Sequence, residues 1–236
     1  MLFIKDLTPV FKKSKLKFLN RRQEAGNISS FFFQHDPAVH WKAGQHGILS
    51  FPKKLEGGSW RGFSIASHPN EGIVLISTRI TDQPSAYKKA LTELKPGDEI
   101  SMRGPFGPFY LDGSKKPVVF IAGGIGITPY RSLVLHSALD RSQAPSSICL
   151  LYFDNTGHYA YQQELDDIVM KNDFIKVEYG TSENLNNIIA DHIRELGNGA
   201  CYYISGPGKM VTSIKKSLVI QGIARNNIKH ELFIGL

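Results

Sequence analysis

Apolar positions in the first half of the chain occur in short stretches, each closed by a turn-forming residue. These stretches are rich in β-branched or aromatic residues and bounded by Gly, Pro, Asn or Asp, which is typical of strands. One short helix is predicted over 87–94, ended by Pro96-Gly97. Short strands with few helices predict a small antiparallel barrel. The predicted strands are 16–18, 30–33, 47–51, 63–67, 73–79 and 99–103.

The second half has longer, continuous apolar runs. Residues 117–122 form such a run, as expected for a buried parallel strand, and a glycine cluster and a helix over 128–139 follow. Strands alternating with helices predict a parallel sheet with helices on both faces. We therefore expect a β-barrel domain over 1–113 and an α/β nucleotide-binding domain over 114–236. The remaining predicted elements are strands 147–153, 174–179, 201–205 and 229–233, and helices 161–171, 185–196 and 209–221.

Composition changes this picture little. The chain has 236 residues, of which 42% are hydrophobic and 21% charged, as in ordinary soluble domains. No apolar run approaches the ~20 residues of a membrane helix, and the N-terminal run breaks too soon at Lys5-Asp6 for a secretory signal. We therefore expect a cytoplasmic protein with no membrane span.

The net charge of +7 is concentrated near the N-terminus. Such a cluster favours an acidic protein partner, or else forms a solvated strand edge protected by lysines. No motif for nucleic-acid binding accompanies it. The cluster comprises Lys12, Lys13, Lys15, Lys17, Arg21 and Arg22.

The cysteines are Cys149 and Cys201, both in apolar contexts that predict buried, reduced thiols. Two cysteines cannot ligate an iron–sulfur cluster that needs four thiolates. Any one-electron acceptor therefore lies on another chain or is a small molecule. No metal site is predicted.

A glycine-rich turn is the most informative local motif. Gly123, Gly124 and Gly126 follow a predicted strand, and glycines let the backbone approach a pyrophosphate. Thr128 is expected to cap the following helix, with Pro129 at its first position. Free N–H groups and the helix dipole at that end favour an anion. A plain strand–helix turn remains an alternative for this motif taken alone.

Three other motifs are weak by themselves. Gly206-Pro207 marks another strand end that meets a helix. In the first half, Arg61-Gly62-Phe63-Ser64 offers a fork of donors for a phosphate, an aromatic face and a hydroxyl. Gly104-Pro105-Phe106-Gly107 is a turn with an aromatic residue.

The order of these motifs resembles the ferredoxin–NADP reductase superfamily over essentially the whole chain. The resemblance implies FAD in the first domain and NADH or NADPH in the second. A hydride would pass to the flavin and electrons would then leave for an acceptor. FAD is favoured over FMN because Ser85 and the 82–87 turn could support a second phosphate.

The resemblance also implies individual roles. Arg61 would pair with flavin phosphate, Phe63 would flank the flavin and Ser64 would bond near its N5. Ser205 would contact the nicotinamide, and Glu231 would lie near the flavin edge or the hydride site. Ser64, Ser205 and Glu231 are the expected catalytic residues. The expected cofactor-binding residues are Arg61, Phe63, Ser64, Ile65, Ala66, Ser67, Thr78, Ile80, Ser85, Gly123, Gly124, Gly126, Thr128, Pro129, Asp154, Gly206, Pro207 and Phe233.

Three positions depart from the pattern of many relatives. Ser205 stands where cysteine is common, Leu236 ends the chain in place of an aromatic, and Phe63 replaces a tyrosine. We expect altered hydride-transfer geometry and a more open flavin face.

Two acids bear on the nucleotide. Asp154 would accept from a ribose hydroxyl and repel a 2′-phosphate, and Glu183 adds to that repulsion, so NADH is favoured over NADPH. The leading expectation is a reductase that serves a ferredoxin, a flavodoxin or an oxygenase component. The alternatives are a diffusible acceptor (ferric chelate, free flavin or quinone) and a flavin-binding subunit docked on a larger complex with little NAD(P)H activity.

Overall fold

The computed structural model describes residues 13–233. The chain divides into two compact units, residues 1–110 and residues 111–236. The boundary expected from the sequence, at 113/114, lies slightly beyond this division and stays a prediction. No helix within the described residues is long and apolar enough to cross a membrane.

Unit 1 contains a six-stranded antiparallel sheet in the order β4-β3-β6-β1-β2-β5. Backbone bonds that follow β4 curl this sheet: the Ile65 N–H donates to the Gln45 carbonyl and the Ala66 N–H to the Leu75 carbonyl. The second bond joins the segment after β4 to β5, at the opposite edge of the sheet, which confirms the predicted barrel class. The strands are β1 (Lys13–Ala25), β2 (Ile28–His35), β3 (His46–Ser50), β4 (Trp60–Ser64), β5 (Val74–Arg79) and β6 (Glu99–Phe106), with one helix, α1 (Ala86–Thr92).

Aromatic side chains fill the interior of this barrel. Phe31 and Phe33 are fully buried on one side of β2, because alternate residues of a strand point to the same face. The Phe18 ring lies 5.6 Å from that of Phe33 in an edge-on arrangement, which suits aromatic quadrupoles. The aromatic-rich pattern that predicted strands therefore also marks the core.

Two strand predictions in unit 1 need correction. The strand predicted over 63–67 is wrong in its second half: β4 ends at Ser64, because residues 65 and 66 bond to two different segments. The predicted strand 16–18 is the middle of a much longer β1. Beyond Asn20 this strand pairs with β2, and most of its side chains are exposed, so no apolar alternation signals its length.

The lysines of β1 differ in how their strand is paired. Lys13, Lys15 and Lys17 all lie where β1 pairs with β6, but β2 pairs with β1 on the other side only from Leu16 onward. These side chains are exposed on the sheet's outer face. The strand-edge interpretation therefore fails for Lys17 and stays open for Lys13 and Lys15, while Lys12 lies outside the described residues.

Unit 2 contains a five-stranded parallel sheet in the order β11-β10-β7-β8-β9, which confirms the α/β prediction. Helices 128–139 and 185–196 have the predicted bounds. The strands are β7 (Val118–Gly123), β8 (Ile148–Phe153), β9 (Ile175–Gly180), β10 (Cys201–Pro207) and β11 (Ile228–Phe233). The helices are α2 (Thr128–Leu139), α3 (Gln162–Lys171), α4 (Leu185–Leu196) and α5 (Gly208–Ile220).

Alternate strand residues of unit 2 serve two faces. Val119 and Ile121 of β7 pack in one cluster with α4 and α5. Phe120, between them, stacks on Tyr130 of α2 at 4.7 Å between ring centroids. Since both faces are covered, the strands read as continuous apolar runs, and this is why their positions were predictable.

Candidate functional site

Helical structure after β7 begins at an earlier residue than the sequence predicts. A 3₁₀ turn, Gly124–Ile127, runs directly into α2. The prediction that Thr128 caps the helix is wrong: Thr128 is its first residue, and its hydroxyl donates to the Ile125 carbonyl at 3.1 Å. Pro129 is consequently second. The N–H groups open to an anion therefore begin at Gly124, where φ is 54° and no side chain of the described residues caps the turn.

Packing against backbone excludes a side chain at Gly126, whereas the close neighbour of Gly123 is the flexible side chain of Met210. A Cβ on Gly126 would lie 2.6 Å from the Ser205 carbonyl carbon and 2.7 Å from the Gly206 Cα. A Cβ on Gly123 would lie 2.6 Å from the Met210 methyl carbon. The turns after β7 and β10 thus touch backbone to backbone. Gly124 is left as the glycine best placed for close approach of a ligand.

Helix α5, at the end of β10, also begins without a side-chain cap from the described residues. Its N-cap residue is Pro207, which offers no side-chain bond. Among the described residues α3 and α4 also lack side-chain caps, so this absence alone does not single out a site. What distinguishes α2 and α5 is that they follow β7 and β10, the neighbouring strands between which the strand order of the sheet reverses, and ligands of open α/β sheets bind at such a point. Two helix N-termini side by side favour a pyrophosphate.

Ser205 lies at this edge with an unsatisfied hydroxyl. The residue is completely buried, and its Oγ has no hydrogen-bond partner within residues 13–233. It pairs across the sheet with Ala122 on one side and Glu231 on the other. A buried hydroxyl without a partner costs about 1–3 kcal/mol, so a ligand that bonds to it recovers that free energy.

Glu231 is half-buried and lies close enough to α2 to affect Tyr130. Burial raises the pKa of the Tyr130 phenol well above its ordinary value, and the charge of Glu231 raises it further. Tyr130 therefore stays protonated and donates to the Ile121 carbonyl at 3.3 Å. The structure thus brings Ser205 and Glu231 to adjacent strand positions, and their roles toward the nicotinamide and the flavin stay predictions.

The Asp154 carboxylate accepts hydrogen bonds within its own turn. The residue is 4% exposed, and one carboxylate oxygen accepts from the Thr156 backbone N–H at 2.9 Å and the Thr156 hydroxyl at 2.6 Å. These bonds fix the chain after β8. The carboxylate still contributes negative charge there, while Glu183 is exposed before α4.

In unit 1, Arg61 is held by a glycine turn. Its guanidinium donates to the carbonyls of Gly57 at 3.0 Å, Gly58 at 3.4 Å and Trp60 at 2.7 Å. It also lies over the Tyr87 ring, 5.3 Å from the centroid. A guanidinium has five N–H groups, so two remain for an anion after these three bonds.

Two further cations lie near Arg61. Burial lowers the pKa of Lys88, and the charges of Arg61 and Arg79 lower it further. Arg61 and Arg79 are therefore both close enough to Lys88 for their charges to affect it. Ser85 accepts from the Lys88 N–H at 3.4 Å as the N-cap of α1. No motif pointed to Lys88 or Arg79, because single basic residues on a strand and a helix carry no sequence signature.

The other predicted residues of unit 1 lie in β4 and β5 or directly after these strands. The half-buried Phe63 ring lies 6.0 Å from that of Tyr87, and Ser64 is buried at the end of β4. The Ser67 hydroxyl is used within the fold, donating to the Ile73 carbonyl at 2.7 Å and accepting from the Leu75 N–H. Ile65, Ala66 and Thr78 are buried, and Ile80 is partly exposed.

Two expectations concern the end of the chain. Phe233 is the last residue of β11. The expectation for Leu236 falls outside the described residues.

Comparison with known proteins agrees with this geometry. Residues 120–216 match the family model for the oxidoreductase NAD-binding domain. The chain is 28% identical to one component of the Na(+)-translocating NADH-quinone reductase of Methylococcus capsulatus, covering 88% of this chain and 57% of that protein. It is 27% identical to the phenol hydroxylase P5 protein of Acinetobacter pittii, covering 98% and 64%. The chain therefore spans less than two thirds of the length of these curated relatives.

A solved structure shares the whole fold. The ferredoxin-NADP+ reductase of Plasmodium falciparum superposes with a TM-score of 0.78 at 18% identity, covering 93% of this chain and 95% of that one. The fold and the β7–β10 edge define a nucleotide-binding protein of the oxidoreductase class, with a barrel ahead of an NAD-binding domain. The chain shares the fold of this reductase, and its residues 120–216 match the oxidoreductase NAD-binding family, which agrees with the resemblance predicted from the motif order.

Proposed function

We propose that the protein is an NAD(P)H-dependent flavoprotein oxidoreductase that binds FAD in unit 1 and a nicotinamide nucleotide, preferably NADH, in unit 2. When bound, FAD supplies the redox chemistry, accepting a hydride from the nicotinamide and releasing electrons to an acceptor. The observation that carries the proposal is the buried Ser205 hydroxyl, unpartnered among the described residues, beside two neighbouring helix N-termini in a unit that matches an oxidoreductase NAD-binding domain.

Unit 1 has residues that fit a dinucleotide with two phosphates. Arg61 keeps two N–H groups for one phosphate, and Lys88 with Arg79 supplies more positive charge. An anion there would relieve the repulsion that lowers the pKa of Lys88. Phe63 would flank the flavin, Ser64 would bond near the flavin's reacting edge, and the other predicted residues in or directly after β4 and β5 would line it.

Unit 2 would bind the nucleotide through its backbone. The N–H groups that begin at Gly124 and at the start of α5 would hold the pyrophosphate. The Ser205 hydroxyl would bond to the nicotinamide, which would fix the orientation of the ring. Glu231, paired with Ser205 across the sheet, would place a carboxylate next to the same position.

The preference for NADH rests on charge. Asp154 and Glu183 follow β8 and β9, the places where a 2′-phosphate would need cations. Because the Asp154 carboxylate already accepts two bonds from Thr156, its contribution would be mainly repulsion of a phosphate. The preference for NADH therefore rests on repulsion of the 2′-phosphate and requires no direct contact between Asp154 and the ribose.

The electron acceptor is proposed to be a separate protein, such as a ferredoxin, a flavodoxin or an oxygenase component. The relatives include a component of a quinone reductase and a phenol hydroxylase protein. The exposed lysines of β1 would attract an acidic acceptor. If so, turnover with that acceptor falls steeply as salt rises, whereas turnover with a neutral diffusible acceptor does not.

An anaerobic visible spectrum tests the function directly. The purified protein is loaded with FAD, and the flavin band is followed after one equivalent of NADH or, in parallel, NADPH. We expect bleaching that is faster with NADH. A band that neither nucleotide bleaches would instead indicate a docked flavin subunit, and failure to retain FAD would overturn the flavin assignment.

A further inference from the structure

We propose that Cys149, Glu178 and His192 form a binding site for a transition-metal ion, with Zn²⁺ as the best match. Cys149 lies in β8, Glu178 in β9 and His192 in α4. The Cys149 Sγ lies 3.6 Å from the His192 Nε2 and 3.7 Å from the Glu178 Oε1. The His192 Nε2 lies 3.2 Å from the same carboxylate oxygen. All three elements belong to unit 2.

These separations match one face of a zinc tetrahedron. Zinc binds thiolate sulfur at about 2.3 Å and nitrogen or oxygen at about 2.0–2.2 Å. Tetrahedral angles then place sulfur about 3.6 Å from each of the other ligand atoms, and nitrogen about 3.4 Å from oxygen. The observed separations differ from these values by at most about 0.2 Å.

Cys149 and His192 border the apolar contact between α4 and the sheet. Leu185, Ile189 and Ile193 form the buried stripe of α4, and His192 lies beside Ile193 on the side that faces the sheet. In β8, Cys149 alternates with Leu151, which pairs with Glu178 across the strands. Glu178 lies on the edge strand β9 at an exposed position, so the thiol, the imidazole and the carboxylate meet at the margin of this apolar contact.

An ion can reach this position from solvent. The Glu178 side chain is 44% exposed and that of His192 is 16% exposed. The combination of one thiolate, one imidazole and one carboxylate favours zinc over magnesium or calcium, which prefer oxygen ligands. Three protein ligands leave a fourth position for water, as in zinc sites that act on a ligand or respond to metal supply.

The site is distinct from the proposed nucleotide-binding edge. Cys149 pairs with Val119 and Lys176, near the amino ends of the strands. Phe153, at the carboxyl end of β8, is four residues further on, about 13 Å along a strand. The proposal therefore does not depend on the proposed function, although the sequence alone predicted no metal site.

The test uses the full-length, tag-free protein, treated with a chelator, desalted and then titrated with Zn²⁺. The bound metal is quantified after gel filtration. Alkylation of Cys149 is measured by peptide mass spectrometry with and without Zn²⁺. We expect one zinc per chain and at least tenfold slower alkylation of Cys149, with no change at Cys201. Replacing Zn²⁺ by Co²⁺ should give the charge-transfer absorption of a cobalt thiolate.

The variants Cys149→Ser, Glu178→Gln and His192→Gln should each weaken zinc binding by more than the ~10–100-fold typical of outer-shell changes. Asp191→Asn is the matched control, because this exposed acid neighbours His192 but pairs with Arg194. Cys201→Ser controls for thiol number. Zinc uptake that is absent, or that is the same in the three variants as in the controls, would show that the residues form only a hydrogen-bonded cluster.

Discussion

The anion sites proposed for the two units use groups of different kinds. The unit 1 site uses side-chain charge, from Arg61, Lys88 and Arg79. The unit 2 site uses backbone N–H groups at the ends of β7 and β10. A site made from side chains can be weakened by one substitution without altering the fold. A site made from backbone is damaged only when a substitution moves the backbone itself, so the two should fail in different ways.

The largest effect is expected from Gly126→Ala. Its Cβ would meet the backbone of Ser205 and Gly206, and backbone cannot rotate away. Overpacking of this kind costs roughly 1–3 kcal/mol, and here it would also separate the two turns. We expect affinity for NAD⁺, measured by calorimetry, to fall at least about tenfold, while FAD content is unchanged.

Gly199→Ala is the matched control, since a Cβ at that position has no neighbour within 4 Å among the described residues. Equal NAD⁺ affinity in the two variants would contradict the backbone account of the unit 2 site.

Arg61→Met should have the next largest effect. Hydrogen bonds to charged groups contribute about 1.5–3 kcal/mol, so the dissociation constant for FAD should rise roughly 10- to 100-fold. Fluorescence quenching during FAD titration measures this. Arg22→Met serves for comparison, because Arg22 pairs with Glu24 in β1. If Arg61→Met binds FAD as tightly as the wild type, Arg61 does not bind the flavin phosphate.

A smaller effect, dependent on pH, is expected at Lys88. Its pKa is lowered from 10.5 by burial and by neighbouring positive charges. In the FAD-free protein Lys88 therefore loses its proton at a lower pH than in the unfolded chain, and stability rises with pH between those two pKa values. Bound phosphates would raise the pKa again. Affinity for FAD should consequently fall as pH rises through the pKa of the FAD-free protein.

Lys88→Met should flatten this part of the pH profile, and Lys89→Met should not, because Lys89 is the exposed neighbour. FAD titrations of the three proteins over the same pH range make the comparison. If FAD affinity depends on pH in the same way in the wild type and in Lys88→Met, Lys88 does not interact with the FAD phosphates.

The smallest change in stability is expected from Ser205→Ala. Removing a buried hydroxyl that has no partner in the described part of the chain should leave the melting temperature unchanged or raise it by a few degrees. Flavin reduction by NADH, followed by stopped flow, should nevertheless slow. A loss of stability together with an unchanged reduction rate would assign Ser205 a purely structural role.

The sequence predicted best those elements whose surroundings are uniform. The strands of unit 2 are covered on both faces, and α4 has a regular apolar stripe, so their patterns are strong. Strand β1 was underestimated because its distal half is solvated. The glycine motif located the edge of the sheet but not the start of the helix, since a 3₁₀ turn precedes α2 and leaves no cap residue to recognise.

Contacts between residues distant in sequence were less predictable. Arg61, Arg79 and Lys88 come from separate elements, as do Cys149, Glu178 and His192. Neither set has a characteristic spacing, because the spacing is fixed by strand order and not by a local motif. In unit 2, the register of β8 against β9 and the packing of α4 bring Cys149, Glu178 and His192 together.

The contact between the turns after β7 and β10 also bears on how the protein folds. Gly126 packs against Ser205 and Gly206, which are synthesised much later, after β8, β9 and three helices. Contacts of such large sequence separation form slowly, because a long loop must close first. A chain still emerging from the ribosome would contain a folded barrel but only half of the nucleotide-binding edge, so this edge should be among the last parts of the molecule to mature.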